Sequence, residues 1–110
     1  MVRLSLLLLA RPGQVGDLVA ELRTLMLRAR GERGFVTCNM SVSLSDRDAL
    51  RYVEEWSDEL DLRDQIRSDR FHRLICLMEA AAEPPHFEVQ LDTGPRGLDY
   101  VEDVLRGEAS

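Results

Sequence analysis

The sequence contains no lysine. All 14 of its basic residues are arginine, they stand against 20 acidic residues, and the net charge is −6. The absence of lysine excludes catalysis through a lysine Schiff base. The acidic balance disfavours binding to nucleic-acid phosphates and to anionic membrane surfaces. We therefore expect neither a nucleic-acid partner nor a membrane partner.

Cysteine and histidine are scarce, with two residues of each. Cys38 and Cys76 both fall in apolar, periodic stretches, so we expect buried free thiols and no disulfide. No Cys-x-x-Cys or His-x-x-His spacing occurs, and the sequence predicts neither a metal nor a cofactor. The acids after the only tryptophan have no metal-ligand spacing and are expected to form a solvated face: Asp58, Glu59, Asp61, Asp64 and Asp69.

Long hydrophobic runs are also missing. The apolar run at residues 6–9 is far too short to span a bilayer, and it lacks the flanks of a signal peptide. We therefore expect a cytoplasmic protein. The length of 110 residues fits one domain, which we place at residues 1–92. Residues 93–110 form a tail in which an apolar stripe predicts a short helix.

The first half of the chain has clear hydrophobic periods. Residues 2–10 are almost wholly apolar and predict a strand that is buried on both faces. Residues 14–30 follow the period of an amphipathic helix that ends at Gly31. Residues 35–44 alternate, with Val36, Cys38, Met40, Val42 and Leu44 on one face, and predict a half-buried strand. A polar turn at residues 45–48 then leads into the next strand.

The second half changes from strand period to helix period at the tryptophan. Residues 49–56 predict a strand in which Leu50, Tyr52, Glu54 and Trp56 share one face. Ser57 is expected to cap a short helix, and a second helix begins after Ser68 and ends before two prolines at 84–85. Residues 86–91 predict a last strand, and residues 94–97 a break.

The resulting order, β-α-β-β-α-β with a split second helix, is that of the ferredoxin-like motif. The fold class is therefore α+β, with a four-stranded antiparallel sheet, helices on one face and a C-terminal helical tail. The second face of such a sheet should not stay exposed to water. The simplest cover is a second copy across a two-fold axis, so we predict a homodimer through the sheet face.

Four short motifs in this order resemble those of the antibiotic biosynthesis monooxygenase domain. They are Pro12-Gly13 after the first strand, Gly34-Phe35, Tyr52 to Ser57, and Ile66 to Phe71, with the helix up to Arg30 between the first two. The resemblance covers about residues 2–91. It implies that two protomers pack sheet to sheet as a dimeric α+β barrel, and that each can hold a small aromatic ligand between helices and sheet. It also implies cofactor-independent oxygenation of a quinol or a polyketide anthrone.

The resemblance suggests candidate site residues, each with a plainer alternative. His72 or Glu54 would accept a proton, although the ordinary interpretations are an exposed histidine and a glutamate that pairs with an arginine in a dimer. The candidate substrate-binding residues are Trp56, Asn39, Tyr52, Gln65 and Phe71. Gln65 stands where many quinol-oxygenating relatives carry a histidine, and glutamine cannot act as a general base. Haem degradation is disfavoured because the Asn, Trp and His of haem-degrading relatives are missing at the corresponding positions: the first strand has only Leu and Ser at its centre, and Gln65 and Ile75 stand at the other two.

Two functions therefore stay open. The first is a cofactor-independent monooxygenase acting on an electron-rich aromatic compound, and the second is a non-catalytic homodimer that binds a ligand or serves as structure. The space beside Trp56 discriminates between them. An open pocket faced by His72 or Glu54 would support the enzyme, and a filled one would not. The expected filling residues are Leu60, Ile66, Phe71 and Ile75.

Overall fold

The computed structural model describes residues 1–43 and 48–107. The strands are β1 (Val2–Leu9), β2 (Phe35–Val42), β3 (Ala49–Trp56), β4 (His86–Leu91) and β5 (Gly94–Arg96). The helices are α1 (Val15–Ala29), α2 (Glu59–Ile66), α3 (Asp69–Glu79) and α4 (Leu98–Arg106). Leu44 and the first three residues of the expected turn at 45–48 lie outside the described residues. Within the described ranges, no helix has the length and apolarity needed to cross a membrane.

The sheet is antiparallel, with strand order β2-β3-β1-β4-β5. The α+β class and the ferredoxin-like core are confirmed. The prediction of four strands was wrong, because the segment interpreted as a break pairs with β4 as a fifth strand. Leu91 lies opposite Gly94, and Val89 lies opposite Arg96. Gly94 has a φ of 123°, which closes the tight turn into β5 and which residues with side chains rarely adopt.

Strand β1 is central but is buried on one face only. Its even-numbered residues, from Val2 to Leu8, lie under the helices and have almost no exposed surface. Arg3 and Leu7 point to the other face, where Leu7 is 39% exposed. The prediction of burial on both faces is therefore wrong for the single chain, because all of the helices that contact the sheet lie on one side.

Strand β2 contains an irregularity that the alternating pattern did not predict. Its register with β3 shifts between Phe35 and Thr37, which leaves Val36 as the extra residue. Val36 is exposed and leaves the inward set, whereas Cys38 and Met40 pack against the core. The shift keeps Phe35 opposite Trp56, and this pairing becomes important for the candidate site.

Helix α2 begins one residue later than expected. Asp58, not Ser57, is the N-cap, and its carboxylate accepts a hydrogen bond from the Asp61 N–H at 2.9 Å. Ser57 instead donates its hydroxyl to the Asp61 carboxylate at 2.8 Å. The Asp61 side chain rests on Gly34, where a Cβ atom would collide with it. This close approach fixes α2 against the start of β2.

Helix α4 packs on its own chain, against α2 and β4. Tyr100, Val101 and Val104 form its buried face. The Tyr100 hydroxyl donates to Glu59 at 2.8 Å, and Arg67 donates to the Val104 carbonyl at 3.3 Å. The C-terminal segment therefore adds to the core beside α2.

Candidate functional site around Glu54 and Trp56

The inward face of β3 supplies three of the candidate residues. Strict alternation along the strand places Tyr52, Glu54 and Trp56 on the helix side of the sheet, as predicted. None of the three has any exposed surface. A carboxylate at such depth needs compensating partners, because burying an unpaired charge is strongly unfavourable.

The main partner of Glu54 is Arg70, in the first turn of α3. Ser68 caps this helix by accepting the Phe71 N–H at 3.2 Å, which fixes where the helix begins and turns Arg70 inward. The guanidinium donates from Nη1 to Glu54 Oε2 at 2.7 Å and from Nη2 to Oε1 at 3.1 Å. This is a two-bond Arg–carboxylate pair, and Arg70 is only 1% exposed.

Two further donors complete the coordination of Glu54. The Trp56 indole Nε1 donates to Oε1 at 3.0 Å, and the Tyr52 hydroxyl donates to Oε2. Each carboxylate oxygen therefore accepts two hydrogen bonds, which fills the roughly four acceptor positions of an ionised carboxylate. We call Glu54, Arg70, Tyr52, Trp56 and Gln65 the Glu54 network.

Gln65, at the end of α2, supplies a second hydrogen-bond acceptor for the Arg70 guanidinium. Its Oε1 accepts from Arg70 Nε at 3.2 Å and from Nη2 at 3.1 Å. In the described part of the chain, no buried side-chain nitrogen or oxygen lacks a hydrogen-bond partner. The Glu54 carboxylate and the Arg70 guanidinium are therefore matched within the chain.

Rings and the guanidinium fill the space beside Trp56. Phe35 meets the indole edge to face, with ring centroids 5.9 Å apart and planes at 81°. The Arg70 guanidinium carbon lies 5.7 Å from the indole centroid, within the range of a cation–π contact. Of the four expected filling residues, Ile66 and Phe71 are buried in the core that includes Trp56, and Ile75 is half-buried against that core. Leu60 is 67% exposed and fills nothing.

Burial and charge together keep three groups in and beside the network protonated. Burial, with the neighbouring Glu54 charge, raises the pKa of the Tyr52 hydroxyl far above its ordinary value. Burial alone would lower the pKa of Arg70, but its hydrogen bonds to Glu54 and the Glu54 charge outweigh that effect and raise it. Burial also raises the pKa of the adjacent Cys38 thiol from 9.0 to about 11. Tyr52, Arg70 and Cys38 therefore all keep their protons at neutral pH.

Two candidate residues lie away from the network. His72 is exposed on α3, and its Nε2 lies 3.9 Å from the Cys76 sulfur. Asn39 lies exposed on the outer face of the sheet, opposite Val53. The structure therefore brings together Tyr52, Glu54, Trp56 and Gln65, with Phe71 in the core beside them. It places the candidate base His72 and the candidate amide Asn39 on two different surfaces.

Arg70 is the functional residue that the sequence analysis missed. A signal was present: Arg70 stands four residues before Leu74 and eight before Met78, on the buried stripe of α3. An arginine on an apolar stripe requires a buried anion. Glu54, on the inward face of β3, was the available one.

A charged ligand could bind to Glu54 or Arg70 only if one of the hydrogen bonds within the network were broken. Glu54 has no acceptor position free to take a proton from a substrate, and an arginine guanidinium does not act as a base at neutral pH. Among residues 1–43 and 48–107, no cluster of three or more His, Cys, Asp or Glu side chains could hold a metal ion. Cys38 and Cys76 are free thiols and are half-buried, less than expected.

Comparison with solved structures identifies the fold. A conserved protein from Methanosarcina mazei Go1 superposes with a TM-score of 0.73 at 23% identity, over 82% of this chain and 90% of that one. A protein named antibiotic biosynthesis monooxygenase gives 0.70 at 20%, over 81% and 95%. PA3566 from Pseudomonas aeruginosa gives 0.68 at 24%, over 80% and 89%. Comparison with family models gives no match, and neither does comparison with curated proteins.

The resemblance predicted from four motifs is thereby confirmed at the level of the fold. This chain has the fold of proteins that carry the antibiotic biosynthesis monooxygenase name. At these identities the likeness extends to architecture alone, so function has to be argued from the residues themselves.

Proposed function

We propose that this chain is a non-catalytic homodimer that keeps the fold of the antibiotic biosynthesis monooxygenases and serves as a binding module. The observation that carries the proposal is the fully occupied carboxylate of Glu54. Its four hydrogen bonds come from Arg70, Tyr52 and Trp56 of the same chain. A residue bound in this way stabilises the fold and has no position left for a substrate proton.

Cofactor-independent oxygenation needs a base, a substrate pocket and an oxyanion donor in one place. The three candidates for these roles are dispersed here. Glu54 is enclosed, His72 lies in solvent on α3, and Asn39 lies on the far side of the sheet. Phe35 and Arg70 lie beside Trp56, which has no exposed surface, and this supports the non-catalytic alternative.

The outer face of the sheet supports the homodimer. The charged strand residues on this face are two arginines and two glutamates: Arg3, Arg51, Glu55 and Glu88. The charges of these four residues sum to zero, whereas the net charge of the whole chain is −6. Two copies can therefore approach through this face with less electrostatic repulsion than through the rest of the surface. Leu7 on the central strand is 39% exposed, and an apolar residue at the middle of a sheet face is typical of an interface centre.

Sedimentation velocity tests the homodimer. We expect the wild-type chain to sediment as a dimer at micromolar concentration, and Leu7→Glu to sediment as a monomer because two carboxylates would meet at the interface. Leu27→Glu is the matched control, since Leu27 is exposed on α1 away from the sheet and should leave the dimer intact. A monomeric wild type, or equal dissociation by both variants, would remove the homodimer from the proposal.

A monooxygenase is the second candidate, and the name of a solved protein with this fold favours it. Oxygen uptake with a panel of quinols and anthrones separates the two functions. The proposal expects uptake at the rate of the buffer alone. Uptake above that rate, and its loss in His72→Ala, would establish the oxygenase instead. His72 is exposed, so its replacement should leave the fold unchanged.

A further inference from the structure

A cavity of about 170 Å³ opens between the first half of α1 and the C-terminal end of α3. Its less exposed walls are apolar: Ala10, Leu18, Leu77 and Ala81. Its exposed edge carries Arg11 and Asp17. We call this the α1–α3 cavity. It belongs to neither the Glu54 network nor the outer face of the sheet.

Hydrogen bonds between elements hold the walls in place. The Ala82 N–H donates to the Leu9 carbonyl at 2.9 Å, which ties the end of α3 to the end of β1. Arg11 Nε donates to the Ala80 carbonyl at 3.2 Å, so the base of this side chain is fixed at the cavity edge. The cavity is therefore formed by the fold before any ligand arrives, which lowers the cost of binding.

The cavity edge has one unpaired charge of each sign. Glu21 also lines the cavity, but it is engaged by Arg73, at 2.6 Å. Arg11 and Asp17 have no ion-pair partner among the described residues. Arg11 keeps the two terminal nitrogens of its guanidinium for a carboxylate. Asp17 keeps its carboxylate for an ammonium group. This contrasts with the Glu54 network, where every charge is matched within the chain.

We propose that the α1–α3 cavity binds a small zwitterion, an α-amino acid with a single-ring side chain. The ring occupies the apolar walls, the ammonium group meets Asp17 and the carboxylate meets Arg11. The size agrees, since a protein cavity of roughly 150 Å³ accommodates one benzene molecule. This inference goes beyond the proposed function, because it holds for a monomer or a dimer and involves no oxygen chemistry.

Three probes with the same ring separate the contributions of the two charges. L-phenylalanine carries both charges, 2-phenylethylamine only the positive one, and 3-phenylpropanoate only the negative one. Each is titrated into the ¹⁵N-labelled full chain at millimolar concentration, followed by amide chemical shifts. We expect saturable shifts at cavity residues, and at least about tenfold tighter binding of phenylalanine than of either other probe. No saturable shift, or equal binding of a singly charged probe, overturns the proposal.

Substitutions then assign the two charges. Asp17→Asn should weaken phenylalanine and phenylethylamine but leave phenylpropanoate unchanged, and Arg11→Gln should weaken phenylalanine and phenylpropanoate but leave the amine unchanged. Asp64→Asn and Arg23→Gln are matched exposed controls on α2 and α1 and should change nothing. Equal weakening by variant and control overturns the assignment.

A substitution that fills the cavity is an independent test of the site. Ala81→Leu adds volume at a half-buried wall and should abolish the shifts for all three probes, with circular dichroism showing that the fold is retained. Should Ala81→Leu not fold, Ala80→Leu on the exposed edge takes its place. Retained binding in a folded, filled variant overturns the site. Neither oxygen uptake nor sedimentation enters this readout, so its failure is distinct from failure of the proposed function.

Discussion

The Glu54 network and the α1–α3 cavity both place charges next to apolar side chains, but they differ in how those charges are matched. In the network, Glu54 and Arg70 are essentially unexposed and satisfy one another twice. At the cavity edge, Arg11 and Asp17 are exposed and have no partner of opposite charge in the described part of the chain.

The difference indicates which charged side chains of this protein are available to a ligand. A buried charge with all its partners present holds elements together: β3 to α3 through Arg70, and α3 to α2 through Gln65. A charge without a partner, beside a preformed cavity, is available to a ligand. The most deeply buried charges of this protein are therefore matched within the chain, and the exposed charges at the cavity edge are the ones that we propose bind a ligand.

The largest effect is expected from removing one partner of the network. Arg70→Met leaves the Glu54 carboxylate buried without its counter-charge and should lower the free energy of unfolding by about 3–5 kcal/mol. Arg73→Met on the same helix removes only a solvent-exposed pair with Glu21 and should have a far smaller effect. Urea unfolding followed by Trp56 fluorescence measures both. Similar losses in the two variants would erase the contrast between buried and exposed pairs.

An intermediate effect is expected from alkaline pH. The folded-state pKa of Cys38 is about 11, against 9.0 ordinarily, and that of Tyr52 is also raised. Above pH 9 the unfolded thiol loses its proton while the folded one keeps it, so the folded state binds more protons and its stability must fall. Urea unfolding from about pH 8 to about pH 11 should show this decline.

Cys38→Ala serves as the control for the alkaline decline. This variant should lose less stability than the wild type over the interval in which the Cys38 thiol titrates, between its ordinary pKa of 9.0 and about 11. The part due to Tyr52 should persist in it. An unchanged decline in Cys38→Ala would mean that this thiol does not contribute.

The smallest effect on stability is expected at the α1–α3 cavity. Asp17→Asn removes an exposed charge that has no ion-pair partner among the described residues, so it should change the free energy of unfolding by less than about 0.5 kcal/mol. Arg11→Gln also removes the hydrogen bond to the Ala80 carbonyl and should cost about 1 kcal/mol at most. The same two variants should lose phenylalanine binding. A stability loss as large as that of Arg70→Met would show that these charges have structural roles, and the contrast between the two regions would not hold.

Local periodicity was sufficient for most of the architecture. The inward set of β3, the amphipathic stripe of α1 and the restart of the helix at Ser68 follow from side-chain spacing and capping chemistry, and the structure has each of them. The sequence patterns did not predict the register shift after Phe35 or the pairing of β5 with β4, because both depend on hydrogen bonding between neighbouring strands.

The candidate site was predictable in composition but not in role. Tyr52, Glu54, Trp56 and Gln65 were singled out and do lie together. Their role changed because Arg70, 16 residues after Glu54, returns to it through the turn between α2 and α3. The α1–α3 cavity could not be foreseen, because its walls come from α1, from α3 and from the segments that follow β1 and α3, and these meet only in the folded chain.

A double-substitution cycle on Glu54 and Arg70 tests the central claim most directly. Free energies of unfolding are measured for the wild type, Glu54→Gln, Arg70→Met and the double variant. A structural pair predicts that Glu54→Gln is destabilising and that the two losses are non-additive, with a coupling of about 1.5–3 kcal/mol. Additive losses of stability would contradict the structural role of Glu54. The same role would be contradicted if Glu54→Gln were as stable as the wild type but lost an oxygen uptake that the wild type shows.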